Sequence, residues 1–305
     1  MPFDALKNLD AEKATAKVES DVTMIFNAIK KYVGFEVLNN LVKDQLREWF
    51  VNFYESNLGQ GHPAIADGYI SMGEVYIHRG EYDRAIECYT RALRIKLAVL
   101  GENQNGHRAS IAIYNNLGSA YDSKGEYDRA IELYERSLKI TMALLEENHP
   151  DVATSYNNLG GAYDSKGEYD RAIEFYERSL KITVAALGEN HPSVAASYNN
   201  LGSAYDSKGE YDRAIEFYER SLKIKVAALG ENHPDVAASY NNLGLVYKNK
   251  GEYDRAIDFY ERSLKIKVAA LGENHPDTQR TINNLLEVKE SKAKSNKQGC
   301  KCCVS

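Results

Sequence analysis

Apolar residues in the middle of the chain recur at helical spacing. Within 152–165, Tyr156, Leu159, Gly160 and Tyr163 follow at intervals of three, one and three, which places them on one helical face. Pro150 suits the start of this helix, where its missing amide hydrogen costs nothing. Lys166-Gly167 stops it, because glycine is free to take the left-handed conformation. A second stripe, Ala172, Ile173, Tyr176, Leu180 and Val184, predicts an amphipathic helix over 170–187. The loop Leu187-Gly188-Glu189-Asn190-His191-Pro192 then leads to the next helix.

The whole pattern returns at a fixed period. Tyr-Asn-Asn-Leu-Gly begins at Tyr114, Tyr156, Tyr198 and Tyr240, always 42 residues apart. Gly-Glu-Tyr-Asp-Arg-Ala-Ile begins at Gly80, Gly125, Gly167, Gly209 and Gly251. Residues 147–188 and 189–230 differ at only 4 of 42 aligned positions: Asp151/Ser193, Thr154/Ala196, Gly161/Ser203 and Thr183/Lys225. A chain that repeats itself so closely is a stack of supersecondary units, each burying its neighbour's apolar face.

Tyr156, Leu159, Gly160, Tyr163, Ala172 and Tyr176 fall where the tetratricopeptide repeat places its characteristic residues, and the pattern resembles that family. Ser179 stands where the family usually has alanine, a small-for-small exchange. The 42-residue length and the connector Leu-Gly-Glu-Asn-His-Pro-Asp-Val-Ala look like the kinesin light chain subtype. The resemblance implies an all-α, right-handed superhelical solenoid of antiparallel helix pairs. Five repeats are expected over 58–274, the first one degenerate, with an insertion Gln104-Asn105-Gly106 in the next loop. Residues 275–290 read as a C-terminal capping helix with Ile282, Leu285 and Leu286 facing inward, and 291–305 as a disordered basic tail. Residues 1–57 hold two amphipathic stripes, one from Val22 to Val33 and an aromatic one from Leu38 to Phe53. They read as a helical cap on the first repeat, or as a partner-binding helix.

Composition narrows the class. No apolar run approaches a membrane span, and the first twenty residues are too polar for a signal peptide, which points to the cytosol. The chain carries −6 overall; Lys292, Lys294, Lys297 and Lys301 with no acid in 291–305 leave −10 on the remainder. An acidic body with a basic tail argues against nucleic acid and points to an anionic membrane surface. Cys88 occupies the register of Leu133, Phe175, Phe217 and Phe259 and reads as a buried apolar residue.

Repetition also constrains chemistry. His149, His191, His233 and His275 each precede proline, but helices stacked about 8–10 Å apart cannot bring them round one ion with ligands at about 2 Å. They read as loop and helix caps. General acid–base work needs one unequal pair in a shaped pocket, and no phosphate loop or nucleophile elbow is present. A non-catalytic chain is therefore expected, with no cofactor, metal or small-molecule substrate.

The resemblance implies that the first helices line a concave groove. One stripe there carries Asn115, Ser119 and Asp122, repeated as Asn157, Gly161 and Asp164, as Asn199, Ser203 and Asp206, and as Asn241, Leu245 and Lys248. An asparagine ladder offers donors and acceptors to the backbone of an extended peptide. The aspartates near helix C-termini, where the macrodipole disfavours them, either bias the ligand towards Lys or Arg or pair with a neighbouring cation.

The chain closes Gly299-Cys300-Lys301-Cys302-Cys303-Val304-Ser305, and its last four residues resemble a prenylation box with Cys302 as acceptor. Four lysines and palmitoylation of Cys300 would supply the second anchoring signal that one lipid needs. Incidental cysteines in a disordered tail, or a soft metal site of three thiols, are the other readings. The expectation is a scaffold that holds a protein or peptide partner, one rich in Lys or Arg, at the cytoplasmic face of a membrane. The alternatives are a soluble kinesin light chain-like cargo adaptor, and a regulatory subunit that docks on an enzyme through its N-terminal helices.

Overall fold

Residues 63–101 and 104–301 are described by a computed structural model. Among them are eleven helices and no strand. The chain divides into two compact units, parting between Leu144 and Leu145. The described part of the first holds α1 (Pro63–His78), α2 (Tyr82–Leu100), α3 (Gln104–Lys124) and α4 (Tyr127–Leu144). The second holds α5 (Pro150–Lys166), α6 (Tyr169–Leu187), α7 (Pro192–Lys208), α8 (Tyr211–Leu229), α9 (Pro234–Lys250), α10 (Tyr253–Leu271) and α11 (Pro276–Lys301). Within each unit every helix packs on the next, so the architecture is consecutive antiparallel helix pairs. The inserted Gln104-Asn105-Gly106 opens α3 instead of lengthening a loop.

The ends of each pair are set by local chemistry. His149 caps α5: its Nδ1 accepts from the Asp151 amide at 3.1 Å, with Pro150 in the first turn. At the other end Gly167 has φ +84°, and the amides of Gly167 and Glu168 donate to Asp164 O and Tyr163 O, both at 2.9 Å. Only two residues then separate α5 from α6, so the chain turns back at once.

The two helices of a pair touch through an aromatic ring laid on a glycine. A Cβ built on Gly160 would stand 2.6 Å from the Tyr176 ring, closer than side chains can approach. Phe175 stacks on Tyr163 with centroids 5.4 Å apart, and the same stack recurs as Phe217 on Tyr205 and Phe259 on Tyr247. Leu159, Leu201 and Leu243 are fully buried between the helices. Cys88 is buried in the core of the first unit with Ala85, Tyr89 and Ala92. Ser179 does more than replace alanine. Its hydroxyl donates to Ala153 O at 2.8 Å, and Ser221 and Ser263 repeat the bond at 2.7 Å to Ala195 O and Ala237 O. A helical carbonyl has a second lone pair to spare, so this bond ties two helices without breaking either ladder.

The final helix corrects two expectations. Its buried stripe is Thr278, Thr281, Leu285 and Val288, at helical spacing, whereas Leu286 is 55% exposed. One residue beyond Leu285 is about 100° of rotation away, which carries Leu286 off the packed face. The helix also continues past 290 to Lys301, because Lys289–Gln298 holds helix formers and neither proline nor glycine. Lys292 on this extension bonds Asp254. Cys300 falls in its last turn. Cys302 and the stripes of 1–57 lie outside the described residues.

Candidate functional site

The stripe of interest runs along the first helix of each pair. In the second unit it comprises Asn157, Gly161 and Asp164 on α5, Asn199, Ser203 and Asp206 on α7, and Asn241, Leu245 and Lys248 on α9. All are half-buried except Leu245, which is exposed. Asn115 and Asp122 hold the same positions on α3 in the first unit and are half-buried there.

The asparagines are not independent hooks. On α7 and α9 the second asparagine of Tyr-Asn-Asn reaches back one repeat: Asn200 donates to Asn157 Oδ1 at 2.8 Å, and Asn242 to Asn199 Oδ1 at 2.9 Å. At the end of the row, Thr281 donates to Asn241 Oδ1 at 3.4 Å. The carboxamide oxygens of Asn157, Asn199 and Asn241 therefore have a donor already, and the face that remains there offers N–H groups, whereas Asn115 Oδ1 is buried with no hydrogen-bond partner among the described residues. Reading the repeat from sequence singled out the first asparagine alone. The identical return of Asn158, Asn200 and Asn242 was the available signal for the second.

Beneath the middle of the stripe lies a tyrosine from the second helix. The Ser203 hydroxyl lies near enough to the Tyr218 phenol to favour its ionised form, against the larger effect of burial, as Ser119 does for Tyr134. Gly161 supplies no hydroxyl, and a Cβ there would stand 3.7 Å from the Tyr176 phenol oxygen. Leu245 breaks the pattern: Tyr260 is fully buried, and its phenol oxygen has no hydrogen-bond partner among the described residues. Burial pushes the Tyr218 and Tyr260 phenols well above the usual range, with Asp206 adding to both.

The acidic end is the least compensated part. Asp164 Oδ1 is buried and accepts no hydrogen bond, and desolvation raises its carboxyl above the ordinary value. Asp206 is raised by the same cause, offset by Asn249, whose Nδ2 donates to Asp206 Oδ1 at 3.0 Å. For Asp164 and Asp206, pairing with a neighbouring Lys or Arg has no counterpart among the described ion pairs. Lys248 ends the row differently, paired with Glu287 at 2.7 Å. His191, His233 and His275 cap their helices as His149 does, with Nδ1 3.1 to 3.2 Å from the amide two residues on. Among the described residues no group of His, Cys, Asp and Glu is placed to hold a metal.

The residue pattern and the helix pairs agree with comparison to known proteins. The family model of the tetratricopeptide repeat matches at 64–141, 109–183, 165–227, 209–267 and 235–296. A crystal structure of nearly identical TPR-like repeats, assigned to a kinesin light chain of Podosopora anserina, superposes with a TM-score of 0.60 and 27% identity. It covers 69% of this chain and 98% of that one. BtubC (BKLC) from P. vanneervenii gives a TM-score of 0.60 at 29% identity, covering 76% of this chain and 89% of its own. The tetratricopeptide sensor-bearing signal-transduction ATPase of Pyrococcus horikoshii, at 18% identity and TM-score 0.59 over 92% of this chain and 38% of its own, shares the fold alone. Among curated proteins no sequence matches.

Proposed function

The chain belongs to the tetratricopeptide repeat family, whose fold is a scaffold for protein–protein interaction, and from that footing we propose that its first-helix stripe binds an extended, Lys- or Arg-bearing segment of a protein partner. The carrying observation is the pair of half-buried carboxylates, Asp164 and Asp206, neither of which forms an ion pair among the described residues. An uncompensated carboxylate in a desolvated surface attracts a cation more strongly than one in open water. The amide hydrogens of Asn157, Asn199 and Asn241 supply donors for the carbonyls of an extended backbone. Such a surface has the right polarity for a basic peptide and the wrong one for nucleic acid or an acidic cargo motif.

The test is direct. Short synthetic peptides differing only in Lys, Gln or Glu at their central positions are titrated against the protein by fluorescence anisotropy. The Lys peptides should bind tightest, and Asp164→Asn with Asp206→Asn should abolish the preference. Equal binding of all three peptides by the unaltered protein would refute the assignment.

A second part of the proposal concerns the tail. Lys294, Lys297 and Lys301 beside Cys300, Cys302 and Cys303 support a lipid-bearing anchor on an anionic cytoplasmic surface. Intact mass of the protein from a eukaryotic cell, with and without Cys302→Ser, decides it. Similarity to two kinesin light chain-type arrays favours one further reading, a soluble adaptor of that kind. A wholly soluble protein of unmodified mass would favour it.

A further inference from the structure

Between α5, α6 and α7 lies an open cavity of about 270 Å³, lined among others by Ala153, Asn157, Thr183, Leu187, Ser193 and Ser197. The repeat supplies its own control for this space. One period on, Lys225 stands in the place of Thr183, and its Nζ donates to Ser239 Oγ at 3.0 Å. One period further, Lys267 Nζ donates in the same way to Thr281 Oγ1 at 2.9 Å. The chain's own lysines thus occupy the two later intervals, each reaching a hydroxyl on the following first helix.

The corresponding hydroxyl in the open interval is Ser197. It donates to Ser193 O at 3.2 Å, just as Ser239 donates to Asp235 O at 3.1 Å while accepting from Lys225. Ser197 Oγ therefore has lone pairs directed at an incoming donor, as Ser239 has. The charge balance differs. Asp235 favours the Lys225 ammonium against the desolvation that disfavours it, and Asp277 does so for Lys267. In the open interval that acid is Ser193, so a buried ammonium would lack the counter-charge that Asp235 and Asp277 supply at this position. The geometry that a lysine fills elsewhere here suits a guest of similar length with a neutral donor at its tip.

We propose that this cavity is a side-chain pocket for the groove's partner, and that it takes a glutamine whose amide donates to Ser197 Oγ. The inference rests on the groove reading above and adds one residue of sequence specificity to it. Thr183 needs no rearrangement to leave the space open, since its own hydroxyl is turned back to Ser179 O at 2.8 Å.

The probe is a displayed library of random decapeptides selected on the full-length protein. Selected peptides should share a glutamine whose replacement by Glu or Ala weakens binding by about tenfold, the loss expected of one buried hydrogen bond. Thr183→Lys should cause a similar loss with an unchanged helical spectrum, because lysine is the residue that the next two repeats carry there. Ser197→Ala, which leaves the cavity open, should erase the preference for glutamine over methionine; it also serves if the lysine variant does not fold. Selected peptides that bind all three proteins equally would overturn the pocket and leave the groove standing. Enrichment of no peptide would overturn the groove reading, and the pocket with it.

Discussion

Asp164 carries its charge under protest from its surroundings. Burial places its folded pKa above the ordinary value, so the folded chain holds that proton more tightly than the unfolded one. The ionised form therefore costs stability at neutral pH. That cost fades as pH falls through the folded value and is gone below the unfolded one, near about 4. Asp164→Asn should accordingly melt higher than the unaltered protein at neutral pH, and the gap should close on acidification. A lower melting temperature at neutral pH would mean that an attractive partner holds the carboxylate, and that it is not reserved for a ligand. At this scale the sequence was only partly informative. Helical spacing put Asn157 and Asp164 on one stripe of α5, as it put Asn199, Ser203 and Asp206 on α7, but these positions are half-buried and not exposed. It gave no notice that Asn200 would take up Asn157 Oδ1, or that Asn242 would take up Asn199 Oδ1. Those bonds depend on inter-helix register, which a period of 42 residues leaves open.

At the scale of the element, α5, α7 and α9 are each delimited by a histidine and a glycine. Histidine is an unusual cap, but its Nδ1 accepts from the amide two residues on, a role more often filled by Ser, Asp or Asn. His233→Ala should cost about 1 kcal/mol in urea unfolding, and His233→Asn should recover most of it. A neutral His233→Ala would show that Pro234 and the loop alone define the start. The helix limits were readable to within about two residues, because proline and glycine punctuate them. The last helix was read less well. Leu286 looked inward because leucines usually do, yet Thr278 and Thr281 occupy the buried stripe instead. Both threonines are fully buried beside α10, where Thr281 Oγ1 accepts from Lys267, so a polar position became a core position through a partner that local sequence does not reveal.

For the whole molecule, the near-identity of consecutive repeats means that stability is distributed. Every helix of the second unit packs chiefly on its sequence neighbours, so removing one full period keeps each remaining interface in kind. Deletion of 189–230 should leave a folded, shorter protein whose helical circular dichroism falls in proportion to its length. Global unfolding would mean that long-range closure holds the fold, contrary to a stack of repeats. The same near-identity makes the departures informative. Thr183, Ser193, Leu245 and Lys248 are among the places where one repeat stops copying another, and all four lie at the cavity or at the end of the stripe. A partner that reads this surface reads the exceptions.

The central claim is that the partner lies along the first-helix stripe. It is tested most directly by photo-crosslinking in cells, with a photoreactive residue placed at Ser203 in one version and at the exposed Lys223 of α8 in another. The account predicts that ultraviolet light joins a protein partner, identified by mass spectrometry, at position 203, and that position 223 gives no such adduct. The same partner captured from position 223, with none from 203, would contradict it.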